Sequence, residues 1–198
     1  MILWINGAFG AGKTQTAFEL HRRIPHSFVY DPENAGYFIR KNIPPSIKKP
    51  DFQEYPLWRE FNYAMLKHIA CEYDGVIIAP MTVVDPVYFE EIVGRLRTDG
   101  MTVKHFALCA PREVILQRLK SRGERSNSWG AQQAERCIEG LSQNIFREHI
   151  DTVELSVSQV AERIADMAHI PLLPDHRGAV RKKFDQIKTQ LDHFRFFN

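Results

Sequence analysis

The sequence has few cysteines and no long hydrophobic run. Its three cysteines, Cys71, Cys109 and Cys137, are odd in number and far apart along the chain. They fit neither a zinc site nor a disulfide framework, so we expect small buried thiols in a reducing cytoplasm. The longest apolar runs, such as Val76–Pro80, are much shorter than the roughly 20 residues that a membrane-spanning helix requires. Nothing here indicates an integral membrane protein.

The sequence also lacks internal repeats, low-complexity segments and a strong excess of charge. Its formal net charge is +2, which is too small to indicate nucleic acid as a partner. The segment Met1–Asn6 has no basic region before its apolar residues and no cleavage site after them, unlike a signal peptide. Hydrophobic residues make up 44% and charged residues 25%, as in average soluble globular proteins. We therefore expect a cytoplasmic protein with one compact domain and a short appendage.

What the sequence does contain is an alternation of strand and helix patterns. Strands are expected at Ile2–Asn6, Ser27–Tyr30, Val76–Met81, Thr102–Cys109 and Thr152–Leu155, and helices at Lys13–Arg23, Leu57–Tyr73, Val87–Arg97, Pro111–Lys120, Ala131–Leu141 and from a Ser158 cap to Met167. The proline-rich residues 32–56 should contain short helices and face the substrate. This order predicts an α/β three-layer P-loop fold, with a five-stranded parallel sheet and helices on both faces. The ligand crevice should lie at the carboxyl ends of the strands.

The strongest motif is a phosphate loop, which we define as residues 7–14. It matches G-x-x-x-x-G-K-S/T, with an apolar strand before it and a helix after it. Glycines allow main-chain N–H groups to point at phosphate oxygens, and the following helix adds its positive end. Lys13 would reach the β- and γ-phosphates of ATP, and Thr14 would offer its hydroxyl to Mg²⁺. The expected nucleotide-binding residues are Gly7, Ala8, Phe9, Gly10, Ala11, Gly12, Lys13 and Thr14.

Two acidic residues are candidates for the catalytic base and the metal side of the site. Asp31 ends the second expected strand, where a carboxylate could accept the proton of an attacking hydroxyl or hold a metal-bound water. The alternative is a turn-forming Asp before Pro32. The usual metal-side carboxylate would end the third strand, but Pro80 stands there. Asp85 follows and could fold back to join Thr14 at Mg²⁺.

Three arginines follow the fourth expected strand, at Arg118, Arg122 and Arg125. Arg118 and Arg122 are four residues apart, so both lie on one helix face. At the base of a mobile lid over ATP they would join Lys13 in stabilising the transferring phosphoryl group. The alternative is a solvated basic helix end.

The region between the second and third strands is the expected binding region for a small-molecule acceptor. Aromatic rings with arginine and asparagine suit a nucleobase, a sugar or an amphiphile. The candidate residues are Arg40, Tyr55, Trp58, Arg59, Asn62 and Tyr63. Helical spacing equally allows Trp58, Phe61 and Met65 to be core residues.

The prolines at Pro171 and Pro174 separate a domain of residues 1–170 from a C-terminal segment of residues 171–198. In that segment a continuous apolar stripe repeats at alternating spacings of four and three residues, and Lys and Arg outnumber Asp. The stripe residues are Val180, Phe184, Ile187, Leu191 and Phe194. Such a basic amphipathic helix can pack on its own domain, on the second subunit of a homodimer, or on an anionic membrane surface.

With these motifs placed, the chain resembles the ATP-binding tunicamycin resistance protein family over nearly its full length. The resemblance rests on Ile5–Ala17, Val29–Glu33, Asp51–Arg59, Pro80–Val84 and Asn127–Trp129. It implies an ATP-binding protein that protects a bacterium from tunicamycin, a nucleoside antibiotic with a fatty acyl tail. It also implies peripheral association with the inner face of the membrane through the C-terminal helix.

Within the wider P-loop class, the chain is similar to small-molecule kinases, including chloramphenicol phosphotransferase and the shikimate and gluconate kinases. Their base follows the second strand, which supports Asp31. The leading hypothesis is therefore an ATP-dependent phosphotransferase acting on a nucleoside-like antibiotic. The alternatives are an ATP-regulated protein that only binds the drug and a housekeeping nucleotide kinase. A GTPase is disfavoured because no Asn-Lys-x-Asp segment is present.

Overall fold

A computed structural model describes residues 1–192 and contains a five-stranded parallel sheet. The strands are β1 (Ile2–Gly7), β2 (Ser27–Val29), β3 (Val76–Pro80), β4 (Val103–Cys109) and β5 (His149–Asp151). Their order across the sheet is β2-β3-β1-β4-β5, and every neighbouring pair is parallel. The α/β class and the five parallel strands expected from the sequence are confirmed.

Helices cover both faces of the sheet. They are α1 (Lys13–Arg23), α2 (Glu33–Lys41), α3 (Pro56–Glu72), α4 (Pro86–Phe89), α5 (Arg95–Thr98), α6 (Arg112–Ser121), α7 (Trp129–Gln132), α8 (Ala134–Leu141), α9 (Val157–Ala168) and α10 (Ala179–Asp192). A π-helical turn, Glu90–Gly94, joins α4 to α5. Among residues 1–192 no helix is both long enough and apolar enough to span a bilayer.

The central strand β1 divides the core into two layers. Its residues are buried throughout, and they alternate between the faces of the sheet as the pleat requires. Leu3 and Ile5 pack in the layer that contains α1 and α9, whereas Ile2 and Trp4 pack in the layer that contains α3. This arrangement is the predicted three-layer architecture.

The parallel register brings the ends of three strands together at one edge. Ile5 of β1 lies beside Pro80 of β3 and Phe106 of β4, and Gly7 lies beside Leu108. The phosphate loop therefore leaves the centre of the sheet, between the segments that follow β3 and β4. This edge is where parallel sheets bind ligands.

The fifth strand was predicted in the wrong place. The alternation in Thr152–Leu155 suggested a strand, but the structure places β5 at His149–Asp151. Only Ile150 of this edge strand is buried, so its own pattern is weak. The following helix is capped by Ser156 rather than Ser158, because Ser156 forms a capping box with Gln159.

Residues 32–56 contain α2 and two short 3₁₀ turns, Pro45–Ile47 and Phe52–Glu54, as the prolines indicated. The expectation of three buried thiols was partly wrong. Cys137 is buried and Cys109 is half-buried, but Cys71 is exposed near the end of α3.

The helix α10 confirms a C-terminal helix, and four residues of its stripe are exposed. Val180 is 86% exposed, Phe184 59%, Ile187 49% and Leu191 69%. Phe194, the fifth member of the stripe, lies outside the described residues. The opposite, polar side of α10 packs on α1.

Candidate functional site

The phosphate loop connects β1 to α1 through glycines with left-handed main-chain angles. Gly10 has φ 86° and Gly12 has φ 99°. A side chain at Gly10 would also come within 3.1 Å of the Ile115 carbonyl and of the Leu119 side chain. Gly12 is the N-cap of α1, and no side chain caps this helix end. The first turn of α1 therefore presents main-chain N–H groups and the positive end of a helix dipole.

Lys13 is buried in this loop. Its Nζ donates hydrogen bonds to the carbonyls of Gly7, at 3.0 Å, and Ala8, at 3.1 Å. Burial lowers the pKa of Lys13 to about 8, while the nearby carboxylate of Glu33 acts in the opposite direction. The ammonium group is thus held at the site with little solvent around it.

Two buried polar side chains fasten the phosphate loop to the segment after β3. Asn6 Oδ1 accepts hydrogen bonds from Gly7 N at 2.9 Å and Val83 N at 3.0 Å. Asn6 Nδ2 donates to the Val83 carbonyl, and Thr82 Oγ1 donates to the Gly7 carbonyl at 2.7 Å. Sequence reasoning missed both roles. A polar Asn at the end of a wholly apolar strand was the available signal.

Asp31 lies at the carboxyl edge of the sheet, as expected, and Glu33 lies beside it. Asp31 Oδ1 accepts a hydrogen bond from Glu33 N at 3.0 Å, and Glu33 begins α2. Tyr37 Oη donates to Glu33 Oε2 at 3.2 Å. The sequence-based prediction named only Asp31, because an acidic residue two positions later is an ordinary feature of a helix first turn.

Asp31, Glu33 and Lys13 share one cavity of about 480 Å³. It is lined by Phe9, Gly10, Gly12, Lys13, Thr14, Gln15, Phe18, Val29, Asp31, Glu33, Tyr37, Pro80, Leu119, Arg122, Glu124, Ser128, Trp129, Gly130, Thr189 and Gln190. The expected nucleotide loop, candidate base and one candidate arginine therefore meet in a single space. An adjoining cavity of about 450 Å³ shares Gly10, Gly12, Gln15, Arg122 and Gln190 with it.

The two candidate arginines occupy different parts of this space. Arg122 caps the end of α6 and lines both cavities, and burial lowers its pKa. Arg118 lines the adjoining cavity, where its guanidinium donates to the Thr152 hydroxyl at 2.9 Å and to the Thr152 carbonyl at 2.6 Å. Arg125 is exposed. The structure brings Arg122 to the phosphate loop and places Arg118 beside the segment after β5.

Residues 123–130, which we call the lid segment, cross over the phosphate loop. The rings of Phe9 and Trp129 meet edge to face, with centroids 4.9 Å apart. A Cβ on Gly130 would lie 3.1 Å from the Phe9 side chain, so the close approach requires a small residue there. The sequence suggested a polar loop in this place, and its contact with the phosphate loop was not foreseen.

The candidate metal ligand Asp85 caps a helix instead of entering the cavity. Its Oδ1 accepts hydrogen bonds from Val87 N at 2.8 Å and Tyr88 N at 3.2 Å, which start α4. Among the side chains that line the cavity, Thr14 directly follows Lys13, and the carboxylates are those of Asp31, Glu33 and Glu124. Within residues 1–192, no cluster of three or more His, Cys, Asp or Glu side chains forms a metal site.

Three of the expected acceptor residues are buried in structural contacts. The Trp58 indole donates to the Pro32 carbonyl at 3.0 Å, and the Asn62 side chain bonds Tyr30 Oη and the Trp58 carbonyl. Arg59 pairs with Glu91 and stacks on Tyr88. The alternative of a core role holds for Trp58, whereas Phe61 is 45% exposed and Met65 is half-buried.

The other acceptor candidates line neither of the two cavities. Tyr55 Oη accepts a hydrogen bond from Lys49 N at 2.6 Å, and Tyr63 Oη donates to Asp99. Arg40 is half-buried in the last turn of α2. The α2 residues that do line the cavity are Glu33 and Tyr37.

The chain is similar to a known protein family and to solved structures. The AAA domain family matches residues 2–143. The solved structure of the tunicamycin resistance protein of Deinococcus radiodurans is similar at 37% identity, with a TM-score of 0.76, and the match covers 88% of this chain and 98% of that one. No match was found among curated proteins.

More distant solved structures share the fold. A sugar kinase from Janibacter sp. HTCC2649 has 17% identity and a TM-score of 0.59, over 85% of this chain and 94% of its own. A shikimate kinase from Bacteroides thetaiotaomicron has 16% identity and a TM-score of 0.59, over 86% and 99%. At these identities the likeness concerns the P-loop kinase-like fold alone.

Proposed function

Because the chain belongs to the AAA domain family and to the family of the Deinococcus radiodurans tunicamycin resistance protein, we propose that it binds ATP with Mg²⁺ and phosphorylates a small molecule. The observation that carries this proposal is the shared cavity, in which the phosphate loop, Arg122, Asp31 and Glu33 meet. When bound, ATP with Mg²⁺ supplies the γ-phosphoryl group that is transferred.

The residues of the loop suit a polyphosphate. The uncapped first turn of α1 offers N–H donors, and the left-handed glycines remove side chains from their approach. Lys13 is already directed into the loop by its bonds to two main-chain carbonyls. Arg122, which is half-buried, adds a second cation on the α6 side of the same cavity. These groups would stabilise the negative charge that develops on the transferred group.

We propose that Asp31 accepts the proton of the attacking hydroxyl. Its carboxylate is oriented by the hydrogen bond from Glu33 N, and it faces the cavity that contains Lys13. Thr14 would be a direct ligand of Mg²⁺, and Glu33 would hold metal-bound water in place of Asp85, which caps α4. The proton would leave the hydroxyl as its oxygen bonds the phosphorus, and ADP would depart.

The acceptor would enter between α2 and the lid segment. Tyr37 and Trp129 line this side of the cavity and offer aromatic faces, which suit a nucleobase or a similar planar group. The related protein is named for tunicamycin resistance. We therefore propose a nucleoside-like antibiotic of the tunicamycin type as acceptor. The acceptor region would be held in place by Trp58, Arg59 and Asn62, whose side chains donate hydrogen bonds to main-chain carbonyls within the fold.

The test is to incubate purified protein with ATP, Mg²⁺ and tunicamycin and to measure the drug by mass spectrometry. We expect a product heavier by one phosphate group and an equal amount of ADP. Asp31→Asn should lower turnover by about 10²–10⁴-fold, the usual contribution of a general base, while nucleotide binding is retained. Glu33→Gln, which alters the proposed contact with metal-bound water, should lower turnover less than Asp31→Asn. Unmodified drug with no ADP above background would count against phosphorylation.

A second candidate function is an ATP-regulated protein that binds the drug at the membrane without modifying it. The observation that favours it is the exposed stripe of α10, which leaves an apolar surface bordered by Lys and Arg. Under this proposal, a cytoplasmic protein would be held at the inner face of an anionic membrane, or the stripe would be covered in a homodimer. Co-sedimentation of the native chain and of Phe184→Ser with anionic vesicles tests whether the stripe binds a membrane. Sedimentation equilibrium of the same two proteins tests whether the stripe is covered in a homodimer.

A further inference from the structure

The polar side of α10 forms part of the wall of both cavities. Thr189 and Gln190 line the cavity that contains Lys13. Gln186 and Gln190 line the adjoining one, together with Ile187 of the apolar stripe. A helix that is remote in sequence from the phosphate loop therefore closes the space beside it.

Ion pairs fasten the start of α10 to α1. Arg177 pairs with Glu19 of α1 and also with Asp175, at 2.7 Å, and Asp185, at 2.9 Å. The side chain of Glu19 is 4% exposed, so its charge depends on such partners. Lys182 adds a 2.8 Å pair with Asp175. Because α1 begins inside the phosphate loop, this cluster links α10 to the same rigid element that presents Lys13.

A direct hydrogen bond joins the two helices nearer the site. Gln15 Nε2 donates to the Gln186 carbonyl at 2.9 Å. Gln15 is in the first turn of α1 and lines both cavities, so this contact lies next to Thr14. Displacement of α10 would remove a polar partner from the mouth of the phosphate loop.

The orientation of α10 is the reverse of the ordinary one. A surface helix usually buries its apolar stripe and exposes its polar side. Here Val180 and Leu191 are exposed, while Thr189 is 6% exposed and Arg177 and Asp185 face the body of the protein. Burial of apolar surface therefore does not explain the docked position. Polar contacts hold it, and one of them, the hydrogen bond from Gln15 to the Gln186 carbonyl, lies at the cavities.

We infer that α10 is a wall of the nucleotide site, so that nucleotide binding and the docking of α10 stabilise each other. This inference rests on the proposed ATP site. A nucleotide that fills the two cavities contacts α10 only in its docked position and favours that position by its differential affinity. By reciprocity, loss of α10 docking lowers the affinity for nucleotide by the same factor. The exposed stripe would then be held in one orientation when nucleotide is bound.

Calorimetry with a non-hydrolysable ATP analogue and Mg²⁺ tests this coupling on the full chain. Arg177→Ala should raise the Kd about fivefold to tenfold, within the usual range of coupling between sites. Arg181→Ala is the matched control, since its side chain is 70% exposed and pairs with Asp185 in its own helix. Its Kd should equal that of the native chain. Gln190→Ala, which shortens the wall but keeps the ion pairs, should also weaken binding.

Hydrogen exchange supplies the second readout. In the native chain the analogue should slow exchange across residues 179–192, and in Arg177→Ala it should do so less. Equal Kd values in all variants, or unchanged exchange in α10, would overturn the coupling while leaving nucleotide binding intact. Tighter binding by Arg177→Ala would overturn it too, since it would mean that α10 blocks the site. Lack of nucleotide uptake by the native chain would instead remove the proposed function, and the coupling with it.

Discussion

Lys13 illustrates how single residues determine the chemistry of this site. Its ammonium group is buried and bonded to loop carbonyls, and burial lowers its pKa to about 8. Asn6, at the end of β1, fixes the neighbouring peptide groups through three hydrogen bonds at or below 3.0 Å. A buried positive charge and a rigid main chain are properties that suit polyphosphate binding.

The lowered pKa of Lys13 predicts a pH-dependent affinity for nucleotide. A bound polyphosphate favours the protonated amine and raises its pKa, so the contribution of Lys13 is fully present below pH 8. As the pH rises above 8, the free protein loses this proton, and the Kd should increase by up to about tenfold per pH unit. Titrations of ATP with Mg²⁺ at pH values from 7 to 10 would measure this slope. The Lys13→Met variant should lack it, and parallel slopes for the two proteins would contradict the assignment.

At the scale of elements, the lid segment and the phosphate loop form one unit. Phe9 and Trp129 make the contact between them, and Ser128 caps α7 by accepting a hydrogen bond from Ala131 N. The lid segment follows Arg122, the C-cap residue of α6, and runs into the start of α7. Closure over the loop would exclude water from the transferring group, which is a common function of lids in this type of chemistry.

Loss of the aromatic contact should therefore loosen the lid. In Trp129→Ala we expect the nucleotide to dissociate severalfold faster, because an edge-to-face pair contributes about 0.5–1.5 kcal/mol beyond its buried area. We also expect more ATP to be hydrolysed per acceptor phosphorylated, since water would reach the site. Stopped-flow release of a fluorescent nucleotide and the ratio of ADP to product measure these effects. Trp129→Phe should retain most of the contact, and identical release rates in all three proteins would argue against a lid.

For the whole molecule, sequence reasoning succeeded where the signal was local. The phosphate loop, the strand before it and α1 follow from a motif and from apolar patterns within about 20 residues. The buried parallel strands β1, β3 and β4 also have strong patterns of their own. The edge strand β5 does not, since it has one buried residue, and the nearby Thr152–Leu155 alternates more clearly.

The remaining errors and omissions concern contacts between distant segments. Residues far apart in the chain meet in the hydrogen bonds between Asn6 and Val83 and between α1 and α10, and in the ring contact between Phe9 and Trp129. The stripe of α10 suggested an amphipathic helix, but no sequence pattern could show that its polar side would face the body of the protein. Glu33 was missed for a different reason, because a single carboxylate next to Asp31 is ordinary in a helix first turn.

The most direct measurement is calorimetric titration of ATP with Mg²⁺ into the full chain and into Lys13→Ala, with circular dichroism to compare their folds. We expect one nucleotide per native chain. Lys13→Ala should weaken binding by about tenfold to a hundredfold, since a hydrogen bond to a charged group contributes about 1.5–3 kcal/mol. A native chain that takes up no nucleoside triphosphate, or two equal affinities, would contradict a phosphate site at residues 7–14.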